Sequence, residues 1–476
     1  MVLFINGVWS QTEEKLDVIN PATGNIEYEV AFGTSQHVGK AISAADEAFE
    51  TWSNKTALER SNFLMEIYRE MEKKVEELAE VITKEMGKPI TDAKGEVLSA
   101  IDYFRWYAEE ARRVYGETVP ATSRNKKIIN VKSPIGVVGA ITPWNFPLSM
   151  VARKVAPALA SGCTIVLKPS SKAPQSSVEM TKIIEKVNLP KGVFNLVLAD
   201  SSKVTEAFMK SKEVKKITFT GSTRIGKMLM EGAAQTVKRV SMELGGHAPF
   251  IVCEDADIEE ACEALLHTKF RCSGQMCTST NRVFVDEKIS DDFIQTLSTK
   301  VNALKLGNGI DPGTSVGPVI DSNAVTKIKE QVSDALAKGA EIVTDEVTLE
   351  DLSLQKENFI SPMVLKNVNQ EMAIFYDETF GPVAPVITYT SEEELLSLVN
   401  HDEYGLAAYL FTNDTSRTIR LTEKMEYGMI GVNDPLPFVV QSPFGGLKES
   451  GMGKEGGHQG LDSYLEEKMI SIKYKL

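Results

Sequence analysis

Residues 134–167, PIGVVGAITPWNFPLSMVARKVAPALASGCTIVL, decide the fold. The run 135–141 is apolar and of strand length, 147–161 reads as an alanine-rich helix, and 163–167 is a second short apolar strand. Strand, helix and strand in such close succession form a βαβ unit, which lays two parallel strands side by side. The stretch 134–152 carries no charge, but Pro143, Asn145 and Pro147 make it a poor membrane-spanning helix. It reads as a buried strand running into a loop.

The same texture extends outward. Strands at 193–198, 216–220 and 249–252 alternate with helices, among them 174–186, and the pattern resumes with strands at 282–286, 383–389 and 428–433. Helices at 289–303, 322–338 and 391–400 lie between. Upstream, 16–25 is a strand ending in an Asn-Pro and Thr-Gly turn. From Ser35, the expected N-cap, to residue 117 the pattern is helical, with Val38, Ile42, Ala45 and Phe49 at three and four and charged helices through Lys84 and Tyr107. Gly116 and Pro120 break it. Residues 125–132 form a strand of mixed polarity suited to an exposed edge, and the tail 463–476 alternates as a terminal strand. The expected class is α/β, built on a parallel sheet.

A chain of 476 residues exceeds one core and predicts two or three lobes. At 42% hydrophobic and 25% charged it is an ordinary soluble composition. The net charge of −14 is spread through the chain and offers no basic stripe for a phosphate backbone, so nucleic acid is set aside. The start, MVLFINGVWS, has no basic region and no cleavage site, so no signal peptide is expected and no membrane partner. Five cysteines without a disulfide framework suggest a reducing, cytoplasmic location. Cys253, Cys262, His267, Cys272 and Cys277 lack the paired spacing of structural zinc, and no metal is expected.

Cys277 lies in FRCSGQMCTSTNR, residues 270–282, among small and polar neighbours that keep a thiol accessible and able to ionise. The alternative is a buried structural cysteine. Residues 216–222, KITFTGS, run a strand into Gly221 and Ser222 ahead of a helix, a turn able to approach phosphate or merely a glycine turn. Lys168 ends a strand where open α/β sheets bind ligands; it is a phosphate or ribose ligand, or a solvated strand-end lysine. Glu243 sits in apolar company before two glycines; burial would raise its pKa toward that of a base, unless it is a surface cap. Asn145, between prolines and aromatics, is an oxyanion donor or a turn residue. Glu378 and the run 442–451 are ambiguous alone.

Together these residues resemble the NAD(P)-dependent aldehyde dehydrogenase superfamily over nearly the whole chain, most closely members of the succinate-semialdehyde dehydrogenase type. The resemblance is carried by Ile5-Asn-Gly-Val-Trp9, Asn20-Pro-Ala-Thr-Gly24, Pro143-Trp-Asn-Phe-Pro147, Leu167-Lys-Pro169, Phe219-Thr-Gly-Ser-Thr223, Glu243-Leu-Gly-Gly246, Gly274-Gln-Met-Cys277, Glu378-Thr-Phe-Gly-Pro382 and Pro443-Phe-Gly-Gly446. It implies Cys277 as nucleophile, Asn145 and the Cys277 N–H as oxyanion donors, and Glu243 as the base that hydrolyses a thioester. It also implies cofactor contacts from Trp144, Lys168, Gly221, Ser222, Glu378 and Phe380.

Many NAD-preferring members carry a glutamate three residues past this lysine. Here Ser171 and then Lys172 follow, which favours NADP, with NAD as the alternative. Cys272 departs from the family's asparagine and has no assigned role; a packed residue and a redox partner are the two readings. Ser279 stands where some members carry a second, redox-active cysteine. Arg153 and Arg271 match positions that present arginines to a distal carboxylate, and Phe438 and Phe444 match the pocket wall; succinate semialdehyde is the expected substrate. The alternatives are a neutral or hydroxy-aldehyde such as lactaldehyde, and a non-catalytic structural or binding protein on the same fold. A cysteine hydrolase lacks a placed histidine.

The implied domains are a Rossmann-like cofactor domain, 1–115 with 135–242, an α/β catalytic domain, 243–445, and a β oligomerisation arm, 116–134 with 446–476. A homodimer or homotetramer is expected.

Overall fold

The computed structural model describes residues 3–347 and 354–475. Met1, Val2 and Leu476, at the ends of the leader and tail readings, lie outside them, as do residues 348–353, which fall within the expected catalytic domain.

Two sheets organise the chain. In the first, five parallel strands run in the spatial order Phe194–Leu196, Thr164–Lys168, Val137–Ile141, Val214–Thr220 and Arg239–Glu243. The antiparallel strands Leu3–Ile5 and Val8–Ser10 extend one edge, and Gly451–Met452 the other. The chain grows outward from Val137–Ile141 in one direction, then returns to start Val214–Thr220 on its other side. That reversal opens a crevice at the carboxyl ends of these two strands, where doubly wound sheets hold ligands.

The helices form for local reasons. Thr34, one residue before the expected Ser35, is the N-cap of Ser35–Ser53, whose Val38, Ile42 and Ala45 are buried as their spacing predicts. Thr56 and Glu59 close a capping box on Ala57–Glu72. Gly87, at φ 88°, ends Val75–Met86 in a left-handed turn, and a Cβ there would lie 2.6 Å from Pro318. The helix Ser149–Ser161 is buried on every face, which explains its small side chains.

The second sheet has the order Glu341–Ile342, Met363–Lys366, Val383–Tyr389, Thr280–Asp286, Ala248–Val252, Ala407–Phe411 and Met429–Val432, parallel except at its first pair. Only residues 244–247 separate Arg239–Glu243 in one sheet from Ala248–Val252 in the other. This short link holds the carboxyl ends of the first sheet against the amino ends of the second. Cys277 precedes Thr280–Asp286, and Glu378 precedes Val383–Tyr389.

A third, antiparallel sheet joins Glu117–Val119, Lys126–Pro134 and Leu465–Lys473. Among the described residues no helix is long and apolar enough to cross a membrane.

Candidate active site

Cys277 is delivered by a strained turn. Cys272, Ser273 and Gly274 take φ of 50°, 58° and 72°, three left-handed residues in succession, of which only glycine is at ease. Side chains from elsewhere hold the turn: Cys272 N donates to Asp92 Oδ2 at 2.8 Å, and Ser273 Oγ to the Gly317 carbonyl at 2.9 Å. Gln275 is the hub. Its Oε1 accepts from Ile320 N at 2.9 Å, and its backbone oxygen accepts from Asn145 Nδ2 at 3.0 Å. Two glycines are required by close approach. A Cβ on Gly246 would lie 2.3 Å from the Cys277 carbonyl oxygen, and one on Gly274 would lie 2.2 Å from that of Gly381.

Asn145 spends one amide hydrogen on Gln275, and its other faces no acceptor among the described residues. Glu243 ends its strand buried, with neither carboxyl oxygen hydrogen-bonded. Burial pushes it up to about 7, partly opposed by the adjacent Cys277 thiol. The readily ionised thiol expected from the polar sequence neighbours is corrected: burial and the Glu243 charge hold Cys277 well above its ordinary value, with Arg153 opposing. The charged groups that act on the thiol come from distant segments, not from its polar neighbours along the chain. Cys272 is fully buried, its thiol pushed up to about 11 by burial.

Cys277 sits where two cavities meet. The larger, about 370 Å³, is lined by Trp144, Asn145, Lys172, Gly221, Ser222, Glu243, Glu378 and Phe380. The Trp144 and Phe380 rings meet edge-on at 5.7 Å. Glu378 accepts from Gly246 N at 3.2 Å and is pushed up to about 7 by burial, against the pull of Lys327 and Lys269. The helix Thr223–Ala234 starts at Ser222, whose side chain forms no cap, so its first-turn N–H groups are free for an anion. An uncapped helix end, a buried carboxylate for paired hydroxyls and two flat aromatic faces fit a dinucleotide. Lys172 is paired with Asp321, which caps Ser322–Ala337 across the cleft, and its Nζ stands 5.7 Å from the Trp144 ring. Lys168 and Ser171 are not among the lining residues; Lys168 Nζ donates to Ser201 Oγ at 2.8 Å, and burial holds its pKa down to about 8.

The smaller cavity, about 250 Å³, lies on the other side of the sulfur and gathers Arg153, Arg271, Phe438 and Phe444, with Tyr409 and Thr278. Arg153 is only 7% exposed, and its Nε and Nη1 have no hydrogen-bond partner. Its guanidinium lies 4.0 Å from the Phe444 ring. The nearest carboxylate, Glu455 at 3.8 Å, is already bonded to Lys154. Arg271 Nε stands 3.9 Å from Asp92. A larger cavity of about 660 Å³, behind the helix Ser322–Ala337, has no cysteine among its described lining residues. Among the described residues no group of three or more His, Cys, Asp or Glu could hold a metal.

The sequence reading missed Gln275, Asp92 and Glu96 as supports of the site. Asp92 and Glu96 are spaced to share one helix face, but nothing near them in sequence says what that face touches.

A thiol, a buried carboxyl and an amide donor converging between a dinucleotide cleft and a cationic pocket define a cysteine-dependent oxidoreductase acting on aldehydes. Residues 8–470 match the aldehyde dehydrogenase family, and the chain belongs to it. The chain is 42% identical to the 3-sulfolactaldehyde dehydrogenase of Pseudomonas putida over 98% of its length and 96% of that protein's. It is also 42% identical to the NADP(+)-linked succinate-semialdehyde dehydrogenase of Escherichia coli, over 98% of this chain and 97% of that one. The crystal structure of succinate-semialdehyde dehydrogenase from Burkholderia pseudomallei superposes with a TM-score of 0.97 at 42% identity, covering 99% of this chain and 98% of that chain.

Proposed function

We propose that this aldehyde dehydrogenase oxidises succinate semialdehyde to succinate, with NADP as acceptor, in the cytoplasm. One observation carries the substrate: Arg153, buried with unpaired guanidinium nitrogens, shares with Arg271 the pocket that ends at Cys277. A desolvated guanidinium without hydrogen-bond partners is costly, and a carboxylate on the substrate satisfies it bidentately. The sulfonate of sulfolactaldehyde, named for one relative, would ask the same of these arginines.

Bound in the larger cleft, NADP would supply the hydride acceptor; Trp144, Gly221, Ser222, Glu378 and Phe380, with Lys168, Ser171 and Lys172, would hold it. Cys277 Sγ, its proton lost to water, attacks the aldehyde carbon as the thiolate. The free Asn145 amide hydrogen and the Cys277 backbone N–H take up the oxyanion. Once the carbon is oxidised to the thioester, Glu243 removes a proton from the attacking water. The carboxylate product and the thiol are released. Arg153 and Arg271 fix the distal carboxylate and so aim the aldehyde at the sulfur.

Ser171 and Lys172 support the NADP preference: serine leaves room where a carboxylate would repel a 2′-phosphate, and Lys172 can exchange Asp321 for it. All five cysteines are free thiols, in keeping with a reducing compartment. The test assays succinate semialdehyde and propanal with NADP and with NAD. Arg153→Ala should lower kcat/KM for the semialdehyde about 100-fold or more, the scale for losing a charge-paired contact, and propanal far less. Lys172→Ala should weaken NADP more than NAD. A preference for propanal that survives Arg153→Ala would refute the substrate assignment.

A further inference from the structure

Asp92 and Glu96 stand one turn apart on the helix Ile90–Glu110, and each reaches one of the two loops that make the site. Glu96 Oε1 accepts from the backbone of Leu148 and Ser149 at 2.8 and 3.1 Å, at the start of the helix that carries Arg153. Its other oxygen binds the buried Lys88 Nζ at 2.7 Å, so its charge is matched. Asp92 is placed differently. Its Oδ2 accepts from Cys272 N at 2.8 Å, and its Oδ1 stands 3.9 Å from Arg271 Nε, beyond hydrogen-bond range. Among the described residues this is the one ion pair of Asp92, and Arg271 Nε has no hydrogen-bond partner.

We propose that Asp92 is a specificity-determining residue, which holds Arg271 at the wall of the smaller pocket and weakens that guanidinium's pull on an incoming anion. The proposal rests on the reading that Arg153 and Arg271 receive the substrate's distal carboxylate. The geometry gives Asp92 two tasks that cannot be separated by a rotation of its side chain. One oxygen is tied to the amide of a left-handed residue in the turn that delivers Cys277, so the carboxylate cannot follow Arg271 or leave it. A substrate anion entering the pocket therefore meets the guanidinium and, one side chain behind it, a fixed negative charge. The two charges act on the anion with opposite sign, the carboxylate from farther off, and Arg271 binds it less tightly than it would without Asp92. This suits turnover. Binding the substrate's acid group more firmly in the ground and transition states alike lowers KM and leaves kcat where it was.

The test removes the charge and keeps the acceptor. Asp92→Asn retains an oxygen for Cys272 N–H, and Asp92→Ser is a second, smaller neutral replacement with a hydroxyl acceptor. The readout is the ratio of kcat/KM for succinate semialdehyde to that for propanal, with KM and kcat separated, in wild type, Asp92→Asn, Arg271→Ala and the double variant. The ratio should rise about fivefold in Asp92→Asn, through a lower KM for the semialdehyde, the scale of one partly screened charge pair at this range. In the Arg271→Ala background the same change should do nothing. A purely structural role would move both substrates together and would persist without Arg271. If Arg271→Ala collapses the ratio and Asp92→Asn leaves it unchanged or lowers it, the proposal is overturned while the arginine reading stands. If Arg271→Ala leaves the ratio untouched, that reading falls, and Asp92 with it. Failure of both neutral variants to fold would make Asp92 a purely structural residue and overturn the proposal as well.

Discussion

Above pH 7 the Glu243 carboxylate is a buried charge with no hydrogen-bond donor, and the fold bears that cost. Its pKa in the native protein, about 7 against the ordinary 4.5, means that the folded state binds the proton more tightly than the unfolded one. Such a group contributes stability below its unfolded value and loses it as pH rises through the folded one. Glu243→Gln should therefore raise the thermal midpoint above pH 7, by up to about 3 kcal/mol in stability, and change little below pH 4. Calorimetry across pH checks this; equal stabilisation at every pH would contradict it. The same titration sets the rate: steady-state turnover should climb with pH through about 7 in the wild type and lose that limb in the glutamine variant. Glu243 was legible in the sequence because its apolar neighbours along the chain are also its neighbours in space. The environment of Cys277 was not, because Glu243 and Arg153, which set its pKa, come from distant segments.

At the scale of elements, the junction between the sheets rests on glycines whose Cβ positions are filled by backbone. Gly246→Ala would press on the Cys277 carbonyl 2.3 Å away, with nothing flexible to yield. We expect kcat/KM to fall about 100-fold, because a displacement of about an ångström in a reacting group has that effect. The thermal midpoint should move modestly, since the strand Ala248–Val252 and its neighbours are untouched. Wild-type kinetics in this variant would show that the contact is not needed. The βαβ texture gave the parallel strands and most helices to within a few residues, since apolar runs of five to seven residues bounded by Gly and Pro have few other readings. It did not reveal that Arg239–Glu243 and Ala248–Val252 belong to different sheets. Nor did it mark Ala407–Phe411 as a central strand, because two alanines at the start of an apolar run suit helix and strand alike. The left-handed turn 272–274 was also invisible. Its cysteine and serine are held there by Asp92 and Gly317, not by preference.

Across the whole molecule, the three-stranded sheet leaves apolar side chains in water: Met469 is 63% exposed, and Ile470 and Ile472 share one face of the terminal strand. We propose that this sheet is the arm through which copies of the chain associate, since an uncovered apolar strand is a liability in a monomer. Replacing Ile470 and Ile472 together by Asp should shift the mass in analytical ultracentrifugation to a smaller species with the cofactor cleft intact; an unchanged mass would remove the arm from the interface. The two-sheet architecture leaves Cys277 lining both cavities. The account therefore stands most directly on a stopped-flow measurement with Glu243→Gln, excess NADP and succinate semialdehyde. It predicts a burst of about one reduced nicotinamide per chain followed by turnover slowed about 100-fold or more, because the thioester forms and hydrolysis stalls. No burst in this variant, or a burst that survives Cys277→Ala, would contradict it.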